Sequence, residues 1–559
     1  MQRFQATTRW VRCHGRPLRW GFVAAACVGG ALTALAAIQI QNANMVRTVE
    51  GGNLANTGGP PFYKDPGAHV SQFAARAALQ ADPLDGMIEL FEAGDRLFAI
   101  RFNEADGVGG NVDGNQRFTR VPRADRTGGG QWATHTPSRA TGPNEVTCEG
   151  CHIQPFSDGA GSVVANAIRD PLHSASLTKM IQRNTPHLFG GAARQLLAEE
   201  MTTDLQNLRN AACNCQNASG PYCSPKTVTL TTKGINFGTI VVSRSANQAC
   251  TYNTSSVQGV AKDLVVRPFQ WKGAVAHLRD FSRDAGHNEL GMQANEFYPN
   301  ADVDTVSDHD GDWVGNELTV GDITALTTYA AHQPRPTTRQ ELVSLGLLDC
   351  STNPCSDGQP PPDAAAISAG ATAFNNMGCN KCHVPQLKIN NPVWQEPSRL
   401  AAFRENGITP GGQTFASLGV DLIVPVKVNI LTQIQENVDI VLPNGRGFGN
   451  FEDDGAGHAI VRLYGDLKRH AMGSSMAEQI DEVGSGASVF LTANLWGVGS
   501  TPPYMHDGRS ETLTGAILEH GSGGADNDAI NSFNAFNNAS NTTRQKLILF
   551  LMNMVLFKG

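Results

Sequence analysis

Charge is scarce in this sequence, and there is no basic surplus. Only 17% of its 559 residues are charged, the formal net charge is −8 and the pI is near 6.0. That excludes the basic footprint of a nucleic-acid binder. Helical periodicity is missing over long stretches, the polar, Gly-rich run from Asn103 to Asn144 among them. With 59 Gly and 29 Pro, long loops are expected, as in a fold that wraps a cofactor and borrows it as core. At about 100 to 200 residues per domain, a chain of this length implies two or three domains.

Cysteine, by contrast, is patterned. Cys148, Cys151 and His152 fall in CEGCH, and Cys379, Cys382 and His383 fall in CNKCH. This spacing attaches a c-type haem: two thiols add to the vinyl groups of one porphyrin as thioethers, and the adjacent imidazole becomes an axial iron ligand. Two intervening residues let both sulfurs reach one macrocycle edge, and the next side chain then lies beneath the iron. With 12 Cys and 15 His in the chain, random placement gives such a motif on the order of once in a hundred sequences. A zinc tetrahedron built from the two C-x-x-C pairs is the competing use of four thiolates, but it gives no reason for His to follow both. Two covalent haem c groups are therefore expected, one domain per haem.

Arg3, Arg9, Arg12, Arg16 and Arg19 precede an apolar run from Gly21 to Ile38, and Ala34-Leu35-Ala36 resembles a small-residue cleavage site. Residues 1–40 read as an export signal; if retained, residues 21–38 are at the lower limit for a membrane anchor. Cys213, Cys215, Cys223, Cys250, Cys350 and Cys355 are an even number outside the haem motifs and the signal. That suggests disulfides and an oxidising compartment. Cys350 with Cys355 is the one pairing legible in advance. The periplasm of a Gram-negative bacterium accommodates signal, covalent haem and paired cysteines together.

Residues 41–84 look like an extended arm. From Pro171 to Leu205 the pattern is helical with a break at Pro186, whereas TVTLTTKGINFGTIVVS alternates and predicts a hairpin turning near Lys233 and Gly234. Asp308, Asp310 and Asp312 alternate around a Gly with Glu317 further on. They suit a hard cation such as Ca²⁺, although the register departs from an EF-hand and a solvated acidic turn is the alternative. Asp363 caps a helix whose Ile367, Ala371, Phe374 and Met377 share one face and deliver the chain to Cys379. In the last helix, Met552 and Met554 read as core rather than as ligands.

The two motifs, with LWGVGSTPPYMHDGRSETLTGAILEHG, RNTPHLFGG, VVRPFQWKG, NELGMQ, NELTVGDITALT and VRLYGDLKRHAMG, resemble the di-haem cytochrome c peroxidase superfamily over roughly residues 85 to 557. The closer likeness is to its branch of di-haem oxidoreductases, sometimes described as thiol oxidoreductases. In such peroxidases the C-terminal haem takes a Met as second axial ligand shortly past the element matching TPPYMHDG. Here the corresponding position, fourteen residues beyond His506, is His520. The resemblance thus implies a second haem held by His383 and His520, at lower potential than with Met and closed to substrate.

It further implies that His506 lies near the second haem. It places Glu199 and Glu200 where related peroxidases carry a distal Glu, and makes Trp271 a candidate aromatic bridge between the haems. His173 and His187 are candidate sixth ligands of the first haem, and His470 is unassigned. The implied fold is mainly α: an N-terminal haem domain (85–333) with a small β-rich, disulfide-containing insertion (208–262), a linker (334–362) and a C-terminal cytochrome c domain (363–559). The implied function is a peroxidase-like oxidoreductase. A small redox donor protein of cytochrome c or cupredoxin type, or a quinol-linked donor, reduces the second haem, and the first haem reduces hydrogen peroxide or O₂. An electron-transfer cytochrome with both haems six-coordinate, or an oxidase acting on a protein or organic substrate, are the alternatives.

Overall fold

The computed structural model describes residues 69–103, 106–108, 144–161, 166–169, 180–213, 223–244, 249–297, 314–400, 403, 424–481 and 483–559. The export segment, most of the arm, His173, Asp308, Asp310 and Asp312 lie outside them.

Helix accounts for 37% of the described residues and strand for 17%, in several small sheets. The architecture is mixed α/β, which overturns the mainly α expectation. Most of these strands are two to four residues long, Leu387–Ile389, Val393–Glu396, Ala459–Val461 and Arg469–Ala471 among them. Segments that short give no alternation long enough to stand out from Gly-rich loop. The same error touches residues 180–185, the described part of a stretch expected to be helical. Met180–Arg183 is a strand paired antiparallel with Asn166–Arg169, with Ile181 and Arg183 buried and Gln182 exposed between them.

The first half is built on the helix Val320–Ala331, every residue of which is buried. A reciprocal Thr319–Asp322 capping box starts it, and Asp322 also accepts from His69 Nδ1 at 2.8 Å. The helix Pro83–Ala99, capped by Asp82 with proline at its first position, crosses it at Gly94. There a Cβ would collide with the Ala325 carbonyl, so only glycine permits this approach. The helix Gly191–Cys213 buries Leu196, Leu197, Met201 and Leu205 against the same core, worth about 1.5–3 kcal/mol per side chain. Strands Cys223–Thr232 and Ile235–Arg244 form the hairpin turning at Lys233 (φ 48°) and Gly234 (φ 81°). A third strand, Cys250–Asn253, pairs with the second, and Cys250 is joined to Cys213.

In the second half, Asp363 accepts from Ala365 N and Ala366 N and starts the helix Ala364–Asn376. This helix crosses Asn541–Met552 at Gly370, again a point where a Cβ would meet backbone, the Lys546 carbonyl. Phe374, Leu547, Phe550 and Leu551 form the apolar cluster between them. Met554 is buried in the same cluster. Within the segment 334–362, Thr337–Thr338 pairs with Met554–Val555, and Cys350 joins Cys355. One apolar cluster contains Val70, Leu97 and Leu197 together with Trp394, Val428 and Trp496. The core therefore continues across that connection.

Candidate functional site

Helix Ala364–Asn376 ends at Gly378 in a left-handed conformation, and a single 3₁₀ turn, Cys379–Lys381, follows. It sets Cys379, Cys382 and His383 on the wall of a cavity of about 340 Å³. His520, at the end of the helix Leu513–Glu519, faces them from the other side. The two imidazoles have centroids 6.4 Å apart. His383 Nδ1 donates to Tyr464 O at 3.2 Å and His520 Nδ1 to Ala516 O at 2.8 Å. That fixes the tautomer and leaves Nε2 of each with its lone pair available to a metal. Burial, then the neighbouring His520, pushes His383 down to about 4, and burial lowers His520. Both rings are neutral near pH 7, as ligation requires.

The first motif occupies one short helical turn, Cys148–Cys151, packed on the end of the helix Pro83–Ala99. Cys148, Cys151 and His152 line a second cavity of about 130 Å³. His152 Nδ1 donates to Gly159 O at 3.0 Å, so the same logic directs its Nε2. Facing these residues are Ser282 and Asp284 from the helix Leu278–Ala285, and Asn288 and Glu289 from the π-turn Gly286–Leu290. Among the described residues His152 is the only histidine lining this cavity. Burial pushes the Cys148 and Cys151 thiols up to about 12 and Cys379 up to about 11.

The two cavities share a partition of Asn184, Thr185, Pro186, Gln270 and Trp271. Trp271 Nε1 donates to Asn184 O at 2.7 Å, and Asn184 N donates to His506 O at 2.7 Å. The His506 ring stacks on Phe490 at 4.2 Å and lines the Cys379 cavity. Burial pushes it down to about 4. Beneath the partition the Arg183 guanidinium pairs with Glu478, and Lys272 lies 3.7 Å from the same carboxylate.

The other sequence candidates fall elsewhere. Glu199 and Glu200 line neither cavity. Glu199 accepts from Gln195 and Ser398, and Glu200 pairs with Lys233 and accepts from Asn390 N and Asn391 N. They staple their helix to the hairpin and to the second half. His187 lines the Cys379 cavity, not the first, with Nε2 on Trp496 O at 3.1 Å. His470 bonds Asp466 at 2.8 Å beside Cys382. Glu317 is fully buried with Oε2 accepting from Gln293 N.

Residues 455–554 match the family model described as di-haem oxidoreductase, putative peroxidase. No curated protein matches the chain. The matched segment of this di-haem oxidoreductase family model contains His470, His506 and His520 and implies haem as cofactor.

The residues present fit that group. An imidazole nitrogen binds a metal at about 2 Å, so two rings sharing one metal should have centroids roughly 6 to 6.5 Å apart, as His383 and His520 do. Arg194 on the same cavity supplies a second test: its Nε has no partner, and burial alone pushes the guanidinium down to about 10. A porphyrin propionate is the acceptor such a cation lacks. Sequence reasoning missed Arg194 and Asp284. The only signal for them was proximity to the quoted motifs RNTPHLFGG and NELGMQ.

Proposed function

We propose that this chain is a periplasmic di-haem c-type cytochrome oxidoreductase with peroxidase-like activity. Its haems are attached through Cys148 and Cys151 and through Cys379 and Cys382. Electrons enter at the C-terminal haem from a small redox protein or a quinol-linked donor, and peroxide is reduced at the N-terminal haem. The observation carrying this reading is the asymmetry of the two cavities. One has two imidazoles 6.4 Å apart, while among the described residues the other is lined by a single histidine, His152, opposite Ser282, Asp284 and Asn288.

Haem supplies the electron storage and the peroxide-reducing iron; the chain does the rest. His383 and His520 close one centre to substrate and lower its potential relative to a Met-ligated one. His152 would hold the other. Cleaving peroxide requires a proton to move from one oxygen to the other. Asp284 is the carboxylate for this task. It lines the His152 cavity, is 2% exposed and accepts from the buried Arg283 at 3.4 Å. Trp271, in the partition, is the aromatic residue that lines both cavities among the described residues, and so the candidate bridge between the centres. Export to the periplasm rests on the arginine-rich segment before residues 21–38 and on the paired cysteines. No helix of the described residues is long and apolar enough to cross a membrane.

The test is an electronic and EPR spectrum of the oxidised and half-reduced protein, before and after hydrogen peroxide. A high-spin signal consumed by peroxide is expected. Two low-spin bis-imidazole signals indifferent to peroxide in both redox states would leave an electron carrier instead.

A further inference from the structure

Tyr329 lines the His152 cavity and has no part in the proton transfer assigned to Asp284. Its ring packs on Phe91 and Phe98, with centroids 5.5 and 5.3 Å away, and Phe98 lies 5.6 Å from the His152 ring. A run of aromatic rings thus joins the axial imidazole to the phenol. Tyr329 is 1% exposed and Asp158 is fully buried, and the phenol donates to Asp158 Oδ1. The other carboxylate oxygen accepts from Lys558 Nζ at 2.6 Å. Lys558 is 26% exposed and lies 3.6 Å from Glu436. Phenol, carboxylate and ammonium therefore form a line from cavity wall to solvent.

For packing alone this is a costly design, since phenylalanine would fill the space without burying an acid. The arrangement suits an electron donor. A buried phenol that loses an electron and keeps its proton becomes a desolvated cation, which the interior strongly disfavours. An acceptor already hydrogen-bonded to the hydroxyl removes that penalty, because proton and electron can leave together.

We propose that Tyr329 is a redox-active residue of the His152 centre, giving one electron to the haem after peroxide has oxidised it while its phenolic proton passes to Asp158. The O–H bond of Tyr329 breaks and one forms on Asp158 Oδ1. The phenol is oxidised by one electron to a neutral phenoxyl radical, and the haem is reduced by one; hydrogen peroxide is the ultimate oxidant. Lys558 keeps the carboxylate in register with the phenol and connects it to solvent. Tyr329 thereby holds one oxidising equivalent in the protein until a donor electron arrives. This rests on the peroxide-reducing reading above.

The test is rapid-freeze EPR of the full di-haem protein mixed with hydrogen peroxide, with the haem absorption followed in parallel. The expected result is an organic-radical signal that narrows when ring-deuterated tyrosine is incorporated. It is lost in Tyr329→Phe, whose ring still packs on Phe91 and Phe98, and diminished in Asp158→Asn. A haem spectrum that responds to peroxide without a tyrosine radical, or a radical that survives in Tyr329→Phe, overturns the assignment and leaves the peroxidase reading standing. A haem spectrum that ignores peroxide overturns both.

Discussion

The imidazoles of His383 and His520 face one another across 6.4 Å, each anchored from behind by a backbone carbonyl, Tyr464 O and Ala516 O. Two residues 137 positions apart in the chain thus present matched nitrogen donors to one point. The carbonyl bonds make both rings better donors by enriching the ligating nitrogen.

Replacing His520 with Met therefore raises the midpoint potential of the C-terminal haem. Axial ligands span about 0.8 V across haem proteins, and a shift on the order of 0.1 to 0.3 V is expected by spectroelectrochemistry. The N-terminal potential should move far less. An unchanged C-terminal potential would remove His520 from the coordination sphere.

Trp271→Phe deletes the indole bond to Asn184 O but keeps a ring in the partition. It should cost about 1 kcal/mol of stability and slow electron exchange between the centres in a stopped-flow half-reduction, with both absorption spectra unaltered. Unaltered exchange would mean that electrons take another route.

Glu478 is 4% exposed and Arg183 5%, so the pair is fully desolvated. Removing the carboxylate strands buried positive charge on Arg183 and Lys272. Glu478→Ala should destabilise the protein by roughly 3 to 5 kcal/mol in denaturant unfolding. A loss under about 1 kcal/mol, the value of a surface pair, would contradict that placement.

Burial holds Glu396 and Glu436 up at about 7, against the pull of Arg279 and Lys558, and Asp280 at about 6 against Arg283. These folded-state values lie above the ordinary 4.5 and 3.8. Through these three carboxyls the native state binds more protons than the unfolded one, so their share of stability falls as pH rises; the buried neutral imidazoles of His187, His277 and His332, pushed down to about 3, 3 and 4, work in the opposite sense. The carboxyl contribution is complete below about pH 4 and gone above about pH 7, up to roughly 3 kcal/mol for Glu396. The urea midpoint of Glu396→Gln, an uncharged isostere, should therefore gain on that of the parent protein as pH is raised from 4.5 to 8, and a difference that does not change with pH would contradict this placement of Glu396.

What could be read from the chain was whatever local chemistry dictates. The C-x-x-C-H spacing, the Asp363 cap and the Lys233-Gly234 turn depend on neighbours within a few positions, and the structure places each of them as an element in its own right. Asp284 and Arg194 enter the cavities only because distant helices dock there. Glu199 and Glu200 show the reverse case. They sit on the right helix, but its packing turns them toward Ser398 and Lys233. The β content escaped notice because a strand of three residues becomes a strand only when its partner arrives.

The partition formed by Asn184, Thr185, Pro186, Gln270 and Trp271 is one layer thick, and each of its residues touches both chambers. Space that it yields to one chamber is taken from the other. A change of charge or shape in either chamber must therefore be felt next door, and by reciprocity the influence runs with equal energy in both directions. With a haem in each chamber, as proposed, the two would be tenants of a common wall, and a potential measured at one would carry the state of the other.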